Sequence, residues 1–214
     1  MIFLRFSNNE YLTRLQNEGH HYLNSIQTFA EYIDTVGRGD VYENIFEQDY
    51  SENGIIQIKF VDTPNAELKD FSYDNQSIKK MATEYFVNIF CLYSIDRANY
   101  KLGELIVIPD EMKDMGTHCL IIFKGAEFIR RLEQALKRKN FVYKLSLVKY
   151  VDYSKYTGKK TVFEKPIEYE YQKEYRIAIH NTSAKAIELF IGNIEDISYK
   201  CPVTELKNLS FNYK

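Results

Sequence analysis

The segment Glu168-Tyr-Glu-Tyr-Gln-Lys-Glu-Tyr-Arg176 carries the densest titratable chemistry in this chain. In extended geometry Glu168, Glu170, Gln172, Glu174 and Arg176 line one face, and Tyr169, Tyr171, Lys173 and Tyr175 line the other. A face of acids with one Gln and one Arg is costly against an apolar core and suits the rim of a cleft, where a fixed carboxylate stabilises developing positive charge. The competing reading is an edge strand whose charges guard it against pairing with another chain. Ile177, Ala178 and Ile179 follow directly, so the polar face runs into a buried strand.

Other candidate groups are weaker. Arg38, Asp40 and Glu43 stand in and after the turn Gly37-Arg-Gly-Asp40, which either binds a polar ligand or caps a helix through Asp40 with a local ion pair. His20 and His21 are adjacent and point to opposite faces of an extended segment, as partly exposed imidazoles would. No two of the four histidines are four residues apart, and Cys91, Cys119 and Cys201 are widely separated. Zinc sites use close ligand pairs, so no metal is expected, and the cysteines read as buried thiols in a reducing compartment. The chain lacks GxSxG, HExxH, GxxxxGK[ST] and GxGxxG patterns.

The elements that must position these groups are readable from pattern. Residues 2–6 predict a strand. A helix follows over 8–18, capped by Asn8 or Asn9 and ended by Gly19. Residues 20–26 are extended and 27–35 helical, 54–62 form a strand, and the polar stretch 62–76 is a loop. Residues 86–95 form the most apolar and central strand, with strands at 103–112 and 117–124. Residues 126–140 form the clearest helix, with Phe128, Ile129, Leu132, Ala135 and Leu136 on one face. Strands at 143–153, at the end of 163–180 and at 186–194 follow, with a lysine-rich loop at 154–161 and a short strand and helical turn at the close. Many strands and few helices predict one α+β domain over 1–214, built on a mixed, mostly antiparallel sheet with a few flanking helices.

Composition narrows the setting. At 214 residues, 45% apolar and 27% charged, the chain has the make-up of a folded domain. No apolar run reaches membrane-spanning length, and Arg5 interrupts the N-terminal run, which predicts a cytoplasmic protein without a membrane partner. The 20 Lys, 8 Arg and 15 Asn, with 18 Tyr and no Trp, are what an AT-rich coding sequence produces, and point to a low-GC bacterium or its phage. Net charge is only −2, yet residues 130–165 hold 11 basic and 3 acidic side chains. Phe141, Tyr143, Tyr150, Tyr153, Tyr156 and Phe163 interleave them. Such a segment, with Arg130, Arg131, Arg138, Lys159 and Lys160, suits single-stranded nucleic acid, a nucleotide's phosphates or a protein partner. It equally suits a solvated helix end whose aromatics face the core.

Gln172-x-Glu174 at the head of a buried strand resembles the Q/E-x-E element of ADP-ribosyltransferases. Arg5 in Ile2-Phe-Leu-Arg-Phe6 and Ser94 after Tyr93 resemble the first-strand Arg and the aromatic-Ser element of the arginine-type members, in the same order. Ile95 and Asp96 depart from the hydroxyl or small residues usual after that Ser. The resemblance implies an NAD-using enzyme with an ADP-ribosyltransferase-like fold and a role in conflict between bacteria and phages. Arg5 would hold NAD, Ser94 would brace the site, and Glu174 would engage the nicotinamide ribose as an oxocarbenium ion develops. Gln172 would place a protein or nucleic-acid acceptor, and Tyr93 or Tyr171 would stack on nicotinamide. The chain is also similar to a group of uncharacterised bacterial and phage proteins. The shared positions are Gly19, Tyr22, Asn24, Phe29, Arg38-Gly39-Asp40, Glu43, Lys165-Pro166 and Tyr171 to Arg176; that likeness implies no activity.

Overall fold

The computed structural model describes residues 1–31, 40, 42–59, 67–83 and 86–210. In chain order the first elements are β1 (Ile2–Ser7), α1 (Asn9–Glu18), β2 (His20–Ser25), α2 (Ile26–Glu31), β3 (Ile45–Ile58), β4 (Lys69–Met81) and β5 (Phe86–Ile95). There follow β6 (Leu105–Ile106), α3 (Asp110–Lys113), β7 (His118–Ile122), α4 (Gly125–Arg138), β8 (Tyr143–Leu147) and β9 (Lys149–Val151). The last are β10 (Gly158–Lys159), β11 (Glu164–Pro166), β12 (Glu174–Asn181), β13 (Ile187–Phe190), β14 (Ser198–Pro202) and β15 (Leu209–Ser210). The architecture is α+β with antiparallel pairing throughout the main sheet; among the described residues β11 and β9 form the parallel pair. No helix among the described residues is long and apolar enough to cross a membrane.

The main sheet is organised around β5. One edge of β5 pairs with β12 from Phe86 to Tyr93, and β12 in turn pairs with β8. The other edge is shared: β2 takes Asn88 and Ile89, while β1 takes Tyr93 to Ile95. Beyond those contacts β1 continues with β7 and β14, and β2 with β13, so the sheet forks along β5. Each face of the sheet carries its own core. Phe3, Phe90, Leu92 and Ile177 pack beneath α1 and α4 through Leu12, Leu15, Phe128 and Leu132. On the opposite face Leu4, Phe6 and Tyr93 pack with Ile106, Ile108 and Leu206.

Local chemistry explains the elements read correctly. The Asn8 side chain accepts from the Tyr11 amide at 2.8 Å and starts α1. Gly19 ends it at φ 62°, where an added Cβ would lie 2.3 Å from the Gly192 carbonyl oxygen, so only glycine fits. Helix α4 buries Phe128, Leu132, Ala135 and Leu136 at helical spacing, as its pattern predicts.

Four expectations need correction. The stretch read as a loop over 62–76 contributes β4 from Lys69 on, paired with β3 along an exposed two-stranded arm. Residues Ile167–Gln172 form 3-10 turns instead of a strand, so Glu168 and Glu170 do not share a face with Glu174. And β12 is flanked by β5 and β8, which excludes the edge-strand reading. The segment 103–112 holds only the short β6 and α3. The expected helix over 27–35, the strand over 54–62 and the loop over 62–76 extend into residues outside the described ones. Arg38 and Gly39 lie wholly outside them.

Candidate active site

The fork in the sheet leaves part of β5 without a strand partner on one side, and a buried carbonyl there must be satisfied some other way. Arg5 supplies the donor: its Nη1 reaches the Cys91 carbonyl at 2.8 Å, and its guanidinium lies 4.7 Å from the centre of the Phe90 ring. The fork opens into a cavity of about 230 Å³ lined by Arg5, Tyr11, Tyr22 and Asn24 on one side and by Glu43, Lys165, Gln172, Glu174 and Arg176 on the other. Tyr22 is 42% exposed and marks the mouth.

Strand alternation places Glu174 and Arg176 on the face of β12 that also carries Ala178, opposite the helices. Both are almost fully buried, and a buried ion must be paired. Arg176 Nε donates to Glu174 Oε1 at 2.5 Å, its Nη1 donates to the Val162 carbonyl, and its Nη2 lies 2.6 Å from Glu43 Oε1. Lys165 Nζ lies 3.5 Å from Glu174 Oε2 and donates to Gln172 Oε1 at 2.7 Å. Two carboxylates thus share two cations, with Gln172 holding the second cation in place.

Their electrostatic environments diverge. Burial alone would push the Glu174 carboxyl up, but Arg176 and Lys165 beside it hold it at about 2, well below its ordinary range. Burial does raise the Glu43 carboxyl, because the attraction of Arg176 and Lys165 offsets that cost only in part. Asp40 is also raised by burial, and its Oδ1 accepts from the Tyr42 amide at 2.8 Å. Asp40 thus holds the Tyr42 amide, and among the described residues Glu43 pairs with Arg176 from a distant strand.

Ser94 does not line the cavity. It braces the backbone that enters it: Oγ donates to the Lys173 carbonyl at 2.7 Å, and the Ser94 amide donates to the same oxygen at 2.9 Å. Lys173 adopts φ 38°, the left-handed bend that turns the chain from the 3-10 turns into β12 and aims Glu174. Ser94→Ala is expected to lower stability by about 1 kcal/mol, read by chemical denaturation, because the second donor to that carbonyl is lost. An unchanged midpoint would show that the amide alone holds the bend.

The remaining sequence candidates disperse. Tyr93 packs into the core opposite the helices, edge-on to Phe6, and Tyr171 packs against that same core, so neither ring lines the cavity. Tyr171 does touch the site, its hydroxyl accepting from Gln172 Nε2 at 3.3 Å. Arg130 and Arg131 are engaged by Glu127, and Arg131 also by Asp196. Arg138 Nε donates to the Gln134 carbonyl, while Lys160 and Lys165 turn inward. Arg138 and Lys159 remain exposed. His20 and His21, expected to be partly exposed, are both buried: His20 Nε2 meets Glu188 at 2.8 Å, and His21 Nδ1 donates to the Gly19 carbonyl at 2.8 Å.

Sequence reasoning named Arg5, Gln172 and Glu174, and these do meet at one cavity. It missed the pairing of Glu43, Lys165 and Arg176 around Glu174. A signal existed, since Tyr22, Asn24, Phe29, Glu43 and Lys165 all belong to the positions shared with the uncharacterised group and all line the cavity. Among the described residues no group of three His, Cys, Asp or Glu side chains is placed to hold a metal ion. No family model, no curated protein and no solved structure matches this chain, so the site is read from its own geometry.

Proposed function

We propose that the chain is an NAD-using enzyme of ADP-ribosyltransferase type with its reacting centre in the fork cavity. One observation carries this reading: Arg5 from the first strand and Glu174 from the late strand line a single cavity, although they stem from opposite faces of the sheet. In the proposed reaction the bond between ribose C1′ and the nicotinamide nitrogen breaks, and its electron pair neutralises the pyridinium. An acceptor's lone pair then bonds C1′ and its proton passes to solvent. Glu174, held ionised, stabilises the positive charge on the sugar as the bond stretches. Glu43, with its raised carboxyl, is the group of the pair that more readily carries a proton, and such divergence is usual where carboxylates divide acid–base roles. Arg5 and Lys165 offer cations to phosphate oxygens. About 230 Å³ admits the nicotinamide-ribose end of NAD, with the adenylate half directed past Tyr22.

The purified protein is expected to release nicotinamide from NAD or to label a protein or nucleic-acid acceptor. Glu174→Gln should lower that rate by about 10²–10³ while the protein remains folded by circular dichroism. No NAD-dependent product across a broad acceptor panel, or an unchanged rate in the variant, overturns the reading.

A second reading, a binding protein without chemistry, draws on the engagement of Glu174 by two cations at 4% exposure. Salt-sensitive capture of nucleic acid that falls on neutralising Arg138 and Lys159 and ignores Glu174 would put that reading first.

A further inference from the structure

Glu43 also borders a second, larger cavity of about 820 Å³, which lies between the base of the β3–β4 arm and the inner end of β12. That volume is within the range of small-molecule sites. Its deep wall is apolar, made by Ile26, Val87, Phe163 and Ala178, which form a buried cluster of their own. Lys144, Lys159 and Lys160 stand at the same wall.

Lys160 is the unusual member. It is 9% exposed, and its Nζ donates to the Tyr42 carbonyl at 3.2 Å and lies 3.8 Å from the centre of the Tyr153 ring. Unlike Lys165 and Arg176, it forms no ion pair with a carboxylate among the described residues. The acids nearby are engaged elsewhere, Asp40 through Oδ1 with the Tyr42 amide, Glu43 with Arg176, and Glu164 through Oε2 with the Thr161 amide at 2.8 Å. A buried ammonium without a counter-ion is costly. Burial pushes the Lys160 ammonium down to about 8 even with Asp40 and Glu43 in the vicinity.

We propose that this cavity binds an organic anion of the fatty-acid class. Its acid head would pair with Lys160 beside the Tyr42 and Tyr153 rings, and its aliphatic body would cover Ile26, Val87, Phe163 and Ala178. Lys144 and Lys159, exposed at the wall, add attraction for the same sign of charge. The assignment stands apart from the NAD reading, since its ligand, its cavity and its key residue are different.

Titration calorimetry with octanoate and with 1-octanol separates head from body. One saturable octanoate site is expected, with octanol weaker by about tenfold or more, because the charge-assisted contact is worth at least that factor. Lys160→Met should remove the octanoate advantage and leave octanol binding unchanged. Lys159→Glu, at an exposed position that the fold does not depend on, should weaken octanoate by about threefold or more and spare octanol. Absence of saturable octanoate binding overturns the proposal, as does equal affinity for acid and alcohol. Undiminished octanoate binding by Lys159→Glu together with Lys160→Met does the same, and if Lys160→Met fails to fold, the Lys159→Glu result decides. None of these outcomes bears on nicotinamide release.

Discussion

Arg176→Met is expected to cost about 3–5 kcal/mol of folding stability. Arg176 is fully buried and joins Glu174 to Glu43 while also satisfying the Val162 carbonyl. Its removal takes from Glu43 the cation 2.6 Å away and leaves Lys165 as the cation nearest to both carboxylates. The double variant Arg176→Met, Glu43→Gln should recover part of the loss, since the group left unpaired no longer carries charge. Urea denaturation of the three proteins measures both effects. A loss under about 1 kcal/mol in the single variant, the size usual at exposed pairs, would show that water reaches the cluster.

The second large effect is a pH dependence set by His21. Its ring is buried against Phe90 and Phe128, and burial holds its pKa at about 4, below the ordinary 6.5. Between those values the unfolded chain takes up a proton that the folded chain refuses. Stability contributed by the neutral ring is therefore complete above about pH 6.5 and is lost as pH falls towards 4, by about 3 kcal/mol in all. His21→Asn keeps a donor for the Gly19 carbonyl and removes the titration. The raised carboxyls of Glu43 and Asp40 act in the opposite sense, so the informative quantity is the difference between the two stability curves. That difference should change by about 3 kcal/mol across the window. Parallel curves from pH 7 to pH 4 would mean that the imidazole protonates in place.

The parts of this fold that sequence makes legible are those fixed by local chemistry or by one buried face. Helices α1 and α4 and the central strand β5 each carry a cap or an apolar pattern that needs no knowledge of the rest of the chain. Strand β4 escapes such reading because neither face of the arm is buried. Asp70, Ser72, Asp74, Asn75 and Gln76 then look like turn formers, while their ladder to β3 depends on a partner strand. The alternation from Glu168 to Arg176 misleads for a related reason. Six residues are too few to show a helical period, and Pro166, a residue that favours the start of a helical turn, was the better guide.

The site shows the same division. Arg5, Gln172 and Glu174 were found because residue type and order suggested them. The fork that joins them is a property of how β1 and β2 divide one edge of β5, and no local pattern encodes such a division. Lys165 meets Glu174, and Glu43 meets Arg176, only once three distant segments close on each other.

The β3–β4 arm has a consequence for handling the protein. Strands of 14 and 13 residues extend roughly 45 Å, and among the described residues β10 pairs with β3 at Glu47 and Gln48, with Thr157 reaching Tyr50 just beyond. Ile55, Leu68 and Phe71 are exposed along it, and among the described residues no strand pairs with the outer margin of β4. Lys69 and Asp70, exposed on the arm, are charges of the kind that discourage pairing between such ribbons. Salt, which screens such charges, is therefore the variable to control when the protein is concentrated.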